Sequence, residues 1–168
     1  MPPGCPDDYY QSLMRLIRDA APSCRIALDV PGEPFRLGLL ERPELVKPNL
    51  EELSFYLGYC ELTLDEAWQG AKKLRDEGAG SVIVSMGSLG ALLSTQRLQA
   101  FAPAVSLPIV STVGAGDAML AAFVAGLTQK KSELEAFRLA VGAAAATVAG
   151  QMSSLDEYVQ QVKIQVSQ

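Results

Sequence analysis

The sequence contains no histidine. That absence removes Ser-His-Asp and Cys-His catalysis, along with any zinc or haem site that depends on imidazole. An enzyme built from this chain must work with carboxylates, lysine, backbone dipoles or a bound cation. Basic charge is scarce too: 14 Lys and Arg stand against 19 Asp and Glu, a net charge of −5. The only adjacent basic pairs are Lys72-Lys73 and Lys130-Lys131. A nucleic-acid surface needs clustered cations to displace counterions from phosphates, so no nucleic-acid partner is expected. The three cysteines, Cys5, Cys24 and Cys60, are widely spaced without a C-x-x-C pair, which points to free thiols in a reducing compartment. The longest apolar stretches, residues 118–127 and 139–149, fall short of the ~20 residues that span a bilayer. Residues 1–6 have neither the basic region nor the apolar run of a signal peptide. The expectation is a cytoplasmic protein without a membrane partner.

The chain has 168 residues, 49% of them hydrophobic, which suits one domain of ordinary size with its own core. Tyr10, Leu13, Met14 and Ile17 follow the i, i+3, i+4, i+7 rule, so residues 7 to about 20 should form an amphipathic helix, stopped by Pro22. Residues 26–30 read as a short buried strand, residues 35–40 as a short helix, and Leu45-Val46 as a second strand. Pro48-Asn49 opens a helix to about Gly58. Thr63-x-x-Glu66 is a capping box for a helix to Glu77. Residues 81–85, β-branched and uninterrupted, form the clearest strand. Residues 91–95 and 97–101 look like a hairpin, and residues 105–110 read as extended. Helices then follow from Ala115 to Leu127, from the Ser132-x-x-Glu135 box, and from a Ser154-x-x-Glu157 box. The last should carry Leu155, Tyr158, Val159, Val162 and Val166 on one face. Alternating strands and helices predict a layered α/β fold with a largely parallel sheet.

Three clusters could carry chemistry. In Ser111-Thr-Val-Gly114-Ala115-Gly116-Asp117, two glycines free the backbone at the mouth of a helix, whose unpaired N–H groups suit an anion. A carboxylate in the first turn beside them is what phosphoryl transfer to an alcohol requires. The residues alone leave a second reading open, in which the glycines make a tight turn and Asp117 complements the helix dipole. Met119 stands where a third Rossmann glycine belongs, and no Walker A sequence occurs. In Lys47-Pro48-Asn49-x-x-Glu52, a lysine at a strand end can reach phosphate, while Asn and Glu can hold hydrated Mg²⁺. A plain capping box explains Asn49 and Glu52 equally well. In Ser85-x-Gly87-x-x-Gly90, the glycines let backbone approach a nucleotide or simply make a turn. Asp29, at a strand end, is a weaker signal of the same kind.

In this order, Lys-Pro-Asn-x-x-Glu, Ser-x-Gly-x-x-Gly and Gly-Ala-Gly-Asp closely resemble the PfkB-type carbohydrate kinases of the ribokinase superfamily. The resemblance covers essentially the whole chain, and Ser-Thr-Val-Gly-Ala-Gly-Asp is most similar to the sugar-phosphate branch. It implies a ribokinase-like three-layer αβα fold with a mostly parallel sheet. It further implies that Asp117 is the catalytic base and that Gly114, Ala115 and Gly116 form the anion hole. Asn49 and Glu52 would position Mg²⁺, and Lys47 would contact nucleotide phosphate. Ser85, Gly87 and Gly90 would lie in the nucleotide pocket with ATP. The carbonyls of Ser111 and Val113 would correspond to a monovalent-cation site, potassium in some relatives. The small-residue helix 140–149 would pass beneath the adenine, or else serve close helix packing.

Family members begin with a glycine-rich segment, a β-sheet lid and further strands that this sequence does not contain; Met1-Pro-Pro-Gly4 is similar to a turn in the middle of such chains. The resemblance therefore implies that residues 1–168 are the C-terminal nucleotide-binding and catalytic portion, with the lid and first strands absent. The implied reaction is ATP-dependent phosphorylation of a sugar phosphate, with fructose 1-phosphate favoured over fructose 6-phosphate or tagatose 6-phosphate. Rival expectations are a nucleotide-binding fragment without catalysis and a small protein with an unrelated ligand. Homodimerisation stays open.

Overall fold

A computed structural model describes residues 4–167; the expected turn at Met1-Pro-Pro-Gly4 lies largely outside the described residues. The chain divides into two compact units. One comprises the chain up to Val84 together with Ser94–Gln96, and the other comprises Ser85–Leu93 and the residues from Arg97 on.

In the first unit, β1 (Ala27–Leu28), β2 (Leu45–Val46) and β3 (Ser81–Ser85, whose last residue belongs to the second unit) run parallel. Their register sets Leu28 opposite Val46, and Val46 opposite Val82. Parallel strands need crossovers, and α2 (Glu33–Leu39), α3 (Leu50–Leu57) and α4 (Leu64–Asp76) supply them. Val46, Val82, Ile83 and Val84 have no exposed surface, as expected for strands covered on both faces. Each such side chain contributes roughly 1.5–3 kcal/mol by its burial. Helix α1 (Tyr9–Ala20) packs against α2, and α3 packs against α4. The fit is close: a methyl group at Gly70 would lie 2.8 Å from Leu57 Cδ1.

Glu44 closes the N-terminal end of these strands. Its carboxylate Oε2 accepts the Ile26 N–H at 2.7 Å, and Arg18 of α1 reaches the same carboxylate. Its own N–H donates to Ile26 O, and its carbonyl accepts the Ser81 N–H. One residue thus ties α1 to the starts of all three strands.

In the second unit, β4 (Ala91–Ser94, whose last residue belongs to the first unit) neighbours β5 (Gln99–Ala102), and β5 pairs antiparallel with β6 (Gln165–Ser167). Helix α5 (Ala115–Thr128) packs along α6 (Glu133–Val148), which packs against α7 (Leu155–Gln161). Small residues permit this. A methyl group at Gly126 would lie 2.9 Å from Ala136 Cβ, and one at Gly142 would lie 2.5 Å from Val159. Close helix packing thus accounts for Ala136 and Gly142 of α6.

Most expected elements are found within a residue or two, and the departures have physical reasons. The strand expected over 26–30 is confined to Ala27–Leu28. Residues 103–110 make no strand; Val110 N–H instead donates to Val148 O at the end of α6. The Ser154 capping box does not form, because a 3₁₀ turn over Met152–Ser154 runs straight into α7. It leaves Ser154 at φ −102°, ψ 25° rather than extended. Val166 lies on β6, not on the preceding helix.

The Glu44 carboxyl is pushed up by burial but pulled down further by the Ile26 N–H and Arg18, so its pKa lies below the usual carboxylate range. A depressed folded pKa gives stabilisation that is complete above the unfolded value and lost as pH falls through the folded one. Glu44→Gln should therefore lower Tm at pH 7, with the gap to the parent chain narrowing as pH falls below the usual carboxylate range and the parent's carboxylate protonates. Thermal melts across this range check it; a gap independent of pH would contradict the role assigned to Glu44.

Candidate active site

The sequence-predicted residues fall into two groups. Lys47, Asn49 and Glu52 belong to the first unit; Ser85, Gly87, Gly90 and the Ser111–Asp117 segment belong to the second. The two groups are described separately.

Because Leu28 pairs with Val46, the next residues, Asp29 and Lys47, leave adjacent parallel strands at their C-terminal ends. Ligands bind at such ends in α/β proteins. Lys47 is 6% exposed, and its Nζ lies 3.0 Å from Asp29 Oδ2. A lysine this buried needs an anion, since an unpaired ammonium there would carry a large desolvation penalty. In the sequence Lys47 reads as a phosphate contact and Asp29 as a weak signal. The signal that pairs them is strand register, which no local motif displays.

Asn49 and Glu52 form the capping box of α3. Asn49 Oδ1 accepts the Glu52 N–H at 2.8 Å, and Glu52 Oε2 accepts the Asn49 N–H at 2.8 Å. Glu52 Oε1 makes no hydrogen bond among the described residues, so capping leaves one carboxylate oxygen for other work. Glu52 and Pro48 line a cavity of ≈ 130 Å³ with Val30, Pro31, Phe35 and Tyr56 among its walls. Phe35 and Tyr56 meet edge to face, and the Tyr56 hydroxyl donates to Glu77. Burial and that carboxylate push the Tyr56 pKa well above its usual value.

In the second unit, β3 ends at Ser85 and the chain turns through a 3₁₀ segment over Gly87–Leu89. Met86 N–H donates to Gly90 O and Gly90 N–H to Gly87 O, closing the turn. The two glycines differ. Gly90, at φ +113°, faces Ala102 O so closely that a Cβ would lie 2.0 Å from it. Gly87, at φ +55°, has open space where a Cβ would stand. Gly90 is thus fixed by packing as well as by its backbone angle, and Gly87 by its backbone angle alone.

The Ser111–Asp117 segment is anchored by Val110 and Ser111, whose N–H groups both donate to Val148 O. Val113 N–H donates to Ser111 Oγ, and Ala115 N–H to Thr112 O at 3.3 Å. Gly114 is the N-cap of α5 at φ +79° and has no side chain with which to cap it. Among the described residues, the N–H groups of Gly116 and Asp117 have no partner. Of the amides expected to form an anion hole, that of Ala115 is engaged, while that of Asp117 is an additional donor. The space beside Gly114 is open, and Asp117 is exposed in the first helical turn. Helices α3, α4 and α6 all begin with completed capping boxes. The start of α5 combines free donors, a cleared approach and a carboxylate, a set that can hold a phosphoryl group and accept a proton. The carbonyls of Ser111 and Val113 precede it on an exposed segment.

A family model described as pfkB family carbohydrate kinase matches residues 1–156. The chain is 36% identical over 162 residues to a 1-phosphofructokinase of Bacillus subtilis, an alignment covering 96% of this chain and 53% of that one. A solved structure of phosphofructokinase-2 from Escherichia coli in complex with potassium matches with a TM-score of 0.87 and 27% identity, over 95% of this chain and 54% of that one. The tetrameric inhibited form of the same enzyme matches with a TM-score of 0.86 and 28% identity, over 95% and 53%. The chain therefore spans about half the length of the relatives it matches, and its mixed α/β fold is the one they share over that stretch.

The contrast between the glycines is testable. Gly87→Ala should cost roughly 1–2 kcal/mol, the penalty for a side chain in left-handed backbone. Gly90→Ala should cost more than about 3 kcal/mol or prevent folding, since its Cβ would meet backbone that cannot step aside. Urea unfolding of both variants decides it; equal losses would contradict the separate constraints.

Proposed function

Because the chain belongs to the pfkB family of carbohydrate kinases, we propose that it carries the nucleotide-binding and catalytic portion of an ATP-dependent sugar-phosphate kinase. The favoured acceptor is fructose 1-phosphate, giving fructose 1,6-bisphosphate and ADP. The relative from Bacillus subtilis, named a 1-phosphofructokinase, supports that acceptor. The single observation that carries the reading is the start of α5, where two unpartnered amides, an open approach and Asp117 stand together.

In this reading Asp117 takes the proton of the acceptor hydroxyl as the hydroxyl oxygen attacks the γ-phosphorus and the bond to the ADP oxygen breaks. The Gly116 and Asp117 N–H groups, at the positive end of the helix dipole, hold the transferring phosphoryl group as its charge redistributes. Gly114, with open space beside it, and Ala115 shape the turn that aims them. Lys47, held by Asp29, contributes fixed positive charge to nucleotide phosphate, and Ser85, Gly87 and Gly90 contribute the turn beside the nucleotide.

The donor set in the first unit fits Mg²⁺. Glu52 has an unengaged carboxylate oxygen, and no cluster of three or more acidic, Cys or His residues occurs among the described residues. Mg²⁺ commonly keeps several waters and binds one or two carboxylates plus substrate phosphates. Asn49 and Glu52 would hold it through water, where it would neutralise phosphate charge. The carbonyls of Ser111 and Val113 are the matching candidates for a monovalent cation, a reading supported by the potassium complex of the Escherichia coli relative.

No helix of the described residues is long and apolar enough to cross a membrane. Together with the exposed thiols of Cys24 and Cys60, this supports a cytoplasmic setting. The chain's coverage of only half its relatives favours a second reading, in which it binds nucleotide but needs further polypeptide for turnover. The family's acceptor-gripping residues would lie in that further part. MgATP at a hundredfold excess over its Kd should stabilise the chain by about 2.7 kcal/mol, a Tm rise of roughly 5–10 °C. No shift would count against both readings.

In an active form, Asp117→Asn should lower kcat by about 10²–10⁴ with little change in nucleotide affinity. A loss within about tenfold would remove Asp117 as the base. Lys47→Met combined with Asp29→Asn should leave stability within roughly 1–2 kcal/mol, because neutral side chains of similar size replace both members of the ion pair and leave no charge without its partner. It should still weaken MgATP binding at least tenfold by calorimetry. Unchanged binding would confine Lys47 to a structural role.

A further inference from the structure

The cavity beside α3 is unused by the reaction proposed above, apart from Glu52 itself. All its walls come from two successive β-α units, residues 30–36 after β1 and residues 48–56 after β2. Phe35 and Pro48 are buried, Val30 and Tyr56 are half-buried, and Phe55 is 77% exposed. The cavity thus runs from a packed floor to an open mouth. Its ≈ 130 Å³ is close to the ~150 Å³ that holds one benzene molecule in an apolar protein cavity. It suits one ring or one compact headgroup.

The lining is apolar except for three charged side chains, Glu33, Arg36 and Glu52, and the first two cancel. Arg36 Nε donates to both oxygens of the Glu33 carboxylate, at 2.8 and 3.0 Å. Glu52 has no such partner: Oε2 is spent on the Asn49 N–H, while Oε1 makes no hydrogen bond among the described residues. Partial burial removes water that would otherwise solvate that oxygen, so it favours a positive partner. The aromatic walls act in the same direction. Phe35 and Tyr56 stand at 89° with their centroids 5.5 Å apart, and aromatic faces attract cations. Burial holds Phe35, and Glu77 holds the Tyr56 hydroxyl, so both walls are set in advance. A neutral ring would leave Glu52 Oε1 without a partner, and an anion would be repelled by it.

We propose that this cavity binds an alkylammonium headgroup, with the charge against Glu52 Oε1 and the methyl or methylene groups against Phe35, Phe55 and Tyr56. The site itself rests on the cavity, the rings and the unengaged oxygen. Its consequence rests on the kinase reading above, which assigns the same Glu52 oxygen to hydrated Mg²⁺. Headgroup and metal then exclude each other, and an alkylammonium metabolite inhibits the kinase by competing with the metal. Each ligand must weaken the other by the same factor.

Choline is the probe, and its neutral analogue with carbon in place of nitrogen (dimethylbutanol) is the control. NMR titration of the isotopically labelled chain at constant ionic strength should give saturable choline shifts centred on residues 30–36 and 48–56. The neutral analogue should bind about tenfold more weakly. Glu52→Gln keeps a side-chain acceptor for the Asn49 amide, so the fold should survive. It should weaken choline by about tenfold and leave the neutral analogue within about twofold. Phe55→Ala, at a largely exposed position, should weaken choline by about threefold or more. If Glu52→Gln melts well below the parent, Phe55→Ala decides alone, and unchanged choline affinity overturns the site. No saturable binding, equal binding of the neutral analogue, or shifts centred elsewhere would overturn it too. Choline affinity unaltered by Mg²⁺ with a non-hydrolysable ATP analogue would leave the site standing and count against Glu52 as the holder of the metal.

Discussion

An α-helix begins with amide groups that its own ladder cannot satisfy, and something else must take them. In α3, α4 and α6 the chain does this itself, through side chains at Asn49, Thr63 and Ser132 and their partners at Glu52, Glu66 and Glu135. At α5 it does not. The N-cap is Gly114, without a side chain and with open space beside it, and the Gly116 and Asp117 amides have no partner among the described residues. A solvated helix start of this kind is tolerable, but it becomes favourable when a phosphate arrives. The functional reading depends on that difference.

The first unit divides its labour between the two ends of its parallel strands. At the N-terminal end Glu44 satisfies backbone and guanidinium donors together, fixing α1 and three strand starts. At the C-terminal end the same register brings Asp29 and Lys47 side by side. A pair with one buried member, here Lys47, adds little to stability compared with apolar residues of equal volume. Its retention at the end of a parallel strand, where ligands bind, is more readily explained by a charge kept in place for use.

Local chemistry was legible in the sequence, and chemistry set by distant pairing was not. The boxes at Asn49, Thr63 and Ser132 could be read because cap and partner lie three residues apart. The box at Ser154 misled, because the preceding turn decided the backbone before the side chain could. Strand β6 went unread, since Val166 fits a helical face as well as a strand and its partner Ala100 lies far back in the chain. The Lys47–Asp29 pair was hidden for a similar reason. The glycines at 87 and 90 read alike as a motif, and both have positive φ, yet only Gly90 also answers to the Ala102 carbonyl. Motif order nevertheless placed the chain in its family, because three short patterns in sequence constrain more than any one alone.

The account stands or falls on whether phosphate binds at the start of α5. The most direct measurement is an NMR titration of the isotopically labelled chain with Mg²⁺ and a non-hydrolysable ATP analogue, reading backbone amide shifts. The predicted result is saturable binding with the largest downfield shifts at Gly116 and Asp117, as their free N–H groups acquire an anionic acceptor. Binding that leaves these two amides unmoved, or no binding at all, would contradict it.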